Sequence, residues 1–361
     1  MAGKSRRALV IGLAIVGAIV GVTIAAVLSL NAFTWSCRYD DEIAADQRAA
    51  IGAVALDFVQ RATGPDPTAT YELMTASTRQ SAPPADKLAA YYRERMEKVG
   101  PVQDWRVTHT YVVKLTGITN DLQAASCGNT SSPAGRVLVA VKGGAEQAHV
   151  LVEGDSPHNR MVFALWMEME GGRWRLIEQY IRAVTYLGKG ATDFEEMAKV
   201  EQRDQHPLNA ALLYSQAQAL ADRGPRFQLG IASRLVEGFR TVAVPPPLAG
   251  EPPFAWNADG EQFRVLSVAP GAFDDDKGRN RLWIVVTHEL DPWTDNAVPE
   301  RKNRALSAAF RKAYPSYKRQ FAGLVIRARE KTNGPTFNIW GTVLQDDGDA
   351  PNDGHGSTLV P

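Results

Sequence analysis

His109 and Glu178 are the two side chains of this sequence whose types could together move a proton. His109 sits in an alternating run, Trp105-Arg106-Val107-Thr108-His109-Thr110-Tyr111, and period two predicts that Trp105, His109 and Tyr111 share one strand face. Glu178 alternates in the same way with Trp174, Leu176 and Tyr180 along a later strand. An imidazole and a carboxylate converging on one open mouth would serve as a general acid–base pair. A hydrogen-bonded core histidine and a rim glutamate would explain the same residues without any reaction, so no catalytic residue is assigned beyond these two candidates. The aromatic members, Trp105, Tyr111, Trp174 and Tyr180, would then line a face suited to a ligand or partner.

His288 alternates with Leu282, Ile284, Val286 and Leu290, and is expected to be a buried neutral imidazole. His149, His158, His206 and His355 are scattered, without the close ligand spacing of a zinc site. Asp274, Asp275 and Asp276 precede Lys277-Gly278, but the glycine register and closing glutamate of a calcium loop are missing, which leaves a solvated hairpin turn. Neither a metal nor a cofactor is expected. Arg301, Lys302, Arg304, Arg311, Lys312, Lys318 and Arg319 crowd one segment, with Phe310, Tyr314 and Tyr317 between them. Arg301, Arg304, Arg311 and Lys312 are its candidate contacts to an anionic lipid, polymer or protein surface, although a solvated helix face is the plainer reading. The 40 basic and 40 acidic residues cancel, so no global field favours nucleic acid.

Residues 8–30 carry no charge, and as a helix they would span roughly 34 Å, enough to cross a hydrocarbon core of about 30 Å. Lys4, Arg6 and Arg7 precede the run, whereas Asp40, Asp41 and Glu42 follow it, so residues 1–7 are expected in the cytoplasm and the bulk outside it. The run exceeds the usual apolar core of a cleaved signal and ends without a small-residue cleavage site, which favours an uncleaved anchor. The chain's two cysteines, Cys37 and Cys127, could pair in an oxidising compartment or remain separate thiols.

The elements that must position these residues fall into units. Ile43, Gln47, Ala50, Ile51, Val54 and Phe58 have helical spacing, residues 71–80 and 85–99 are further helices, and strands are expected near 136–142, 147–153, 160–170 and 173–184. Residues 31–190 thus form helices followed by a curled antiparallel sheet. Residues 191–243 follow as helices. Among them, a stripe of Leu208, Leu212, Ser215 and Ala219 faces a second of Phe227, Ile231, Leu235 and Phe239 in a hairpin. The prolines of 244–253 make a linker, 254–344 read β-β-α-β-β, and 345–361 read as a disordered tail.

The order of the first unit, with Ala-Leu-Asp-Phe-Val at 55–59, Ala-Thr-Tyr-Glu-Leu-Met-Thr at 69–75 and Gly-Gly-Arg-Trp-Arg-Leu-Ile at 171–177, resembles the NTF2-like (cystatin-like) superfamily over about residues 41–184. That resemblance implies a cone-shaped α+β domain, and it is especially close to membrane-anchored versions outside the bacterial cytoplasm. The superfamily includes isomerases, dehydratases and hydrolases as well as silent scaffolds of secretion systems, so the likeness implies a shape and not a reaction. The expectation is an α+β, single-pass inner-membrane protein that acts as a non-enzymatic binding or assembly module of the cell envelope with a protein partner. A small-molecule-binding or hydrolytic cone is the alternative.

Overall fold

Ile51, Ala55, Phe58, Val59 and Ala62 are buried along one side of helix α1 (Ala45–Thr63), which stops at Gly64-Pro65 because proline cannot continue the hydrogen-bond ladder. The computed structural model describes residues 34–346 and 353–354, except 117–120, 130, 133–134, 145, 158, 246–247, 249–250, 276 and 333–336. The expected membrane segment 8–30, most of the 345–361 tail, His158 and His355 lie outside the described residues. Among the described residues no helix is long and apolar enough to cross a membrane.

The expected helix 71–80 is divided. A 3-10 turn occupies Pro67–Leu73, and α2 (Ala76–Ser81) starts afresh because Thr75 Oγ1 accepts the Thr78 N–H at 3.1 Å. Helix α3 (Ala85–Val99) ends at Gly100, whose φ of 81° suits a glycine. The strands around these helices are β1 (Thr34–Tyr39), β2 (Gln103–Thr116), β3 (Gln123–Gly128), β4 (Arg136–Val141), β5 (Gln147–Asp155), β6 (Arg160–Glu170) and β7 (Arg173–Ala183). An antiparallel sheet runs β1-β2-β5-β6-β7, with α1 and α3 on one face.

Two bulges decide which residues meet on that sheet. In β2, Val107 pairs with Val152 and His109 with Leu151, so Thr108 is an extra residue; in β7, Met167 pairs with Leu176 and Trp166 with Glu178, so Ile177 is extra. An inserted residue reverses side-chain parity. Trp105 and Trp174 therefore pack under the helices, while Tyr111, Glu178 and Tyr180 belong to the opposite face. This corrects the expectation that strict alternation keeps Trp105 with Tyr111 and Trp174 with Tyr180.

After a small hairpin of β8 (Thr185–Tyr186) and β9 (Lys189–Gly190) come α4 (Ala191–Arg203) and α5 (Pro207–Ala221). Phe227 is not the start of the next helix. It opens β10 (Phe227–Leu229), which pairs with β4, and α6 (Ile231–Arg240) begins only after Gly230. Strands β10, β4 and β3 form a second sheet over the helix-free face of the first, burying Val137, Val139 and Phe227 against Tyr111, Leu151 and Ala164. Cys37 of β1 and Cys127 of β3 are disulfide-bonded with Cα atoms 5.6 Å apart, so the bridge joins the two sheets.

The remaining strands are β11 (Phe254–Ala258), β12 (Glu261–Asp274), β13 (Asn280–Leu290), β14 (Gly323–Glu330), β15 (Ile339–Gln345) and β16 (Asp353–Gly354), ordered β11 to β16 in one sheet. Helix α7 (Ala297–Ala313) makes the crossover between parallel β13 and β14. The chain is thus a mixed α+β protein. Leu208, Leu212 and Leu235 of α5 and α6 share one core with Phe263, Ile284, Leu306 and Leu324, so these helices cover the same face of this sheet as α7.

Candidate functional site

Across the face of the first sheet opposite α1, register aligns Tyr39, Tyr111, His149, Trp166 and Glu178 in one row. Tyr39 stacks on Tyr111 with centroids 6.4 Å apart, and His149 stacks on Trp166 at 5.6 Å and 10°. Phe227 lies over both pairs, 5.4 Å from Tyr111 and 6.1 Å from His149. Burial pushes the His149 imidazole down to about 4 against the raising effect of its bond to the Ala140 carbonyl at 2.7 Å, so at neutral pH Nε2 carries the proton and donates. Burial likewise pushes the Tyr111 phenol up to about 12, with the Asp40 charge adding to it.

The row opens at its β7 end. The turn Asp222-Arg223-Gly224-Pro225-Arg226 crosses over Glu178, Tyr180 and Arg182, and Gly224 is required there: its φ is 91°, and a Cβ would fall 2.6 Å from the Tyr180 ring. Arg226 Nε donates to Glu178 at 2.9 Å. Tyr180 donates its hydroxyl to Asp222 Oδ2 at 2.9 Å, Arg182 Nε reaches the same oxygen at 3.5 Å, and the Arg182 guanidinium lies 4.4 Å over the Tyr180 ring. Arg223 is 8% exposed and, among the described residues, donates only to main-chain carbonyls, at 2.7 Å to Leu220 and 3.0 Å to Asp222. Burial pushes its guanidinium down to about 10, against the fields of Glu153 and Asp222. Arg223, Pro225 and Phe227 are shared walls of a tight crevice against His149 and Glu178 and of a roomier cavity of about 320 Å³ facing α6.

His109 and Glu178 are not brought together. Leu151 and Ala164 lie between His109 and the β7 strand, so three strand spacings separate the two strands, about 14 Å. His109 Nδ1 instead meets Asp40 Oδ2 at 2.9 Å on an exposed rim. Trp105 sits 5.4 Å from Phe163, and the glycine at 154 leaves room for its ring. Trp174 is buried beneath the helices.

Most cations of the basic segment already face acids from distant parts of the chain. Lys302 meets Glu261 at 2.6 Å, Arg304 meets Glu300 at 2.8 Å, Arg311 and Lys318 share Asp346, Lys312 meets Asp259, and Arg319 meets Asp204 at 2.8 Å. The segment is therefore a laced helix face with little unneutralised charge, and Arg301 is exposed at its start. Asp275 lies in the connection between the paired strands β12 and β13, as a hairpin turn requires, but it is not solvated: its carboxylate is buried and accepts the Lys277 and Arg279 N–H groups at 2.9 and 2.8 Å. His288 is fully buried, with Nε2 2.7 Å from Asn303 Oδ1. Among the described residues no group of three His, Cys, Asp or Glu side chains converges as a metal site.

Sequence reasoning missed Arg223, Arg226 and Asp222. Their only local signal was Asp-Arg-Gly-Pro-Arg between two helices, which reads as a break and not as a wall. Compared with family models, curated proteins and solved structures, the chain matches none.

Proposed function

We propose that this chain is a single-pass, membrane-anchored protein of the bacterial envelope, held by residues 8–30 with its bulk outside the cytoplasm, and that it acts there as a non-enzymatic binding or assembly module. The observation that carries the compartment is the bridge between Cys37 and Cys127. A structural disulfide persists in oxidising surroundings, and Cys37 lies seven residues past the apolar run. An NTF2-like cone for residues 41–184 is supported by helices α1 and α3 packed on one face of a bulged antiparallel sheet. The binding role is supported by the aromatic row and its arginine-walled opening, which place recognition groups at a crevice and cavity whose described walls hold no Ser, Thr, Cys or Lys side chain to act as a nucleophile.

Intact spheroplasts treated with a membrane-impermeant maleimide test the topology and the bridge together. Labelling is expected only after an impermeant reductant opens the disulfide. Labelling without reductant would remove the bridge, and labelling only after lysis would place the bulk in the cytoplasm and end the proposal.

A further inference from the structure

The cavity facing α6 has one charged wall residue with no acidic partner. Asp222 is engaged, its Oδ1 by the Gly224 N–H at 2.9 Å and its Oδ2 by Tyr180 and Arg182. Arg226 is neutralised by Glu178. Arg223 makes no ion pair among the described residues, and its buried Nε has no hydrogen-bond partner. A guanidinium in that state is costly to keep, because main-chain carbonyls replace its hydration only in part. The carbonyls belong to the C-terminal end of α5, which explains how the arginine is held; Glu153 and Asp222 act on its charge through their fields but make no ion pair with it.

We propose that this cavity binds a small monocarboxylate with an apolar body, its carboxylate on the Arg223 guanidinium. Charge sets the first part of the assignment: the charged walls of this cavity are Asp222 and Arg223, the carboxylate is already held by Gly224, Tyr180 and Arg182 while the guanidinium has no side-chain partner among the described residues, and the Asp222 carboxylate beside it disfavours a dianion such as phosphate. The other walls set the second part. Ala232 and Val236 of α6 offer an apolar floor, and Gln218 and Gln228 offer amides at its margin. About 320 Å³ accommodates a body of roughly ten heavy atoms at about 30 Å³ per water-sized group. The site is independent of the membrane anchor and of the compartment.

Benzoate, benzamide and inorganic phosphate, titrated into the full chain in a mild non-ionic detergent and read by ligand-observed NMR, test the assignment. Benzoate is expected to half-saturate at about 1 mM or below, with benzamide at least tenfold weaker and phosphate without effect. Arg223→Gln should weaken benzoate at least tenfold, and Arg223→Lys should recover part of the loss. Ala232→Phe fills the floor without touching the arginine and should block benzoate while its circular dichroism stays native. If Arg223→Gln fails to fold, the benzoate to benzamide ratio and Ala232→Phe still decide. Equal binding of benzoate and benzamide would make Arg223 a helix-capping residue only. Phosphate as tight as benzoate, or Ala232→Phe binding benzoate normally, would also overturn the proposal.

Discussion

Acidification should destabilise this protein before its carboxylates titrate, because the layer between its first two sheets and the core of its C-terminal sheet each contain a neutral imidazole. His149 is 2% exposed and His288 fully buried, and both are pushed down to about 4 by burial from an ordinary value of 6.5. Each donates through Nε2 to an oxygen, of Ala140 and Asn303 respectively, and His288 Nδ1 has no acceptor for a second proton. The unfolded chain therefore binds the extra protons, so stability is complete above about pH 6.5 and falls as pH drops toward about 4. From about pH 7.5 to about pH 5 each histidine costs about 2 kcal/mol, and the pair about 4 kcal/mol. Carboxylates such as Glu195, whose burial is outweighed by hydrogen bonds from Arg234 and Lys199, lose their contribution only at lower pH. Urea unfolding of wild type and His149→Gln at the two pH values isolates one histidine. Gln presents an amide N–H near the position of Nε2 but does not titrate. The substitution should reduce stability at pH 7.5 by loss of the Trp166 stack, yet its further loss at pH 5 should be smaller than that of wild type by about 2 kcal/mol. An identical pH loss in both proteins would refute the assignment of a neutral buried His149.

The junction between α4, α5 and the C-terminal sheet should depend on Glu201, which is fully buried and accepts from Asn209 at 2.9 Å and Gln320 at 2.6 Å. Glu201→Gln should cost about 2–3 kcal/mol in chemical denaturation because it leaves donors facing donors, whereas Arg319→Ala, at a half-exposed arginine, should cost under about 1 kcal/mol; the reverse order would contradict this account. Gly224→Ala should lower the melting temperature, with a cost above about 2 kcal/mol, since it combines a positive φ with a Cβ inside the Tyr180 ring. A native melting curve for that variant would show that the turn rearranges freely.

The periodicities of 3.6 and two were legible wherever they act locally. Helices α1, α3 and α7 and the run from β4 to β7 fall close to their expected places because apolar spacing and proline or glycine breaks are properties of the chain itself. The parity of β2 and β7 was not legible. Thr108 and Ile177 look like ordinary members of alternating runs, and only the register of β5 and β6 makes them bulges. The same holds for Phe227, which fits a helical stripe but adds to β4, and for the 301–319 cations other than Arg304, whose described acids lie far away in sequence.

The amino-acid order alone determined the mixed α+β composition, the uncharged 8–30 run, the approximate bounds of α1, α3 and α7 and the supply of two cysteines able to bridge. Tertiary structure alone decided that Cys37 meets Cys127, that His109 and Glu178 lie apart, and that Arg223 is enclosed without an ion pair among the described residues. The difference is one of range: backbone periodicity depends on neighbours a few residues away, whereas pairing, burial and charge compensation depend on which distant strand supplies the other half of the contact.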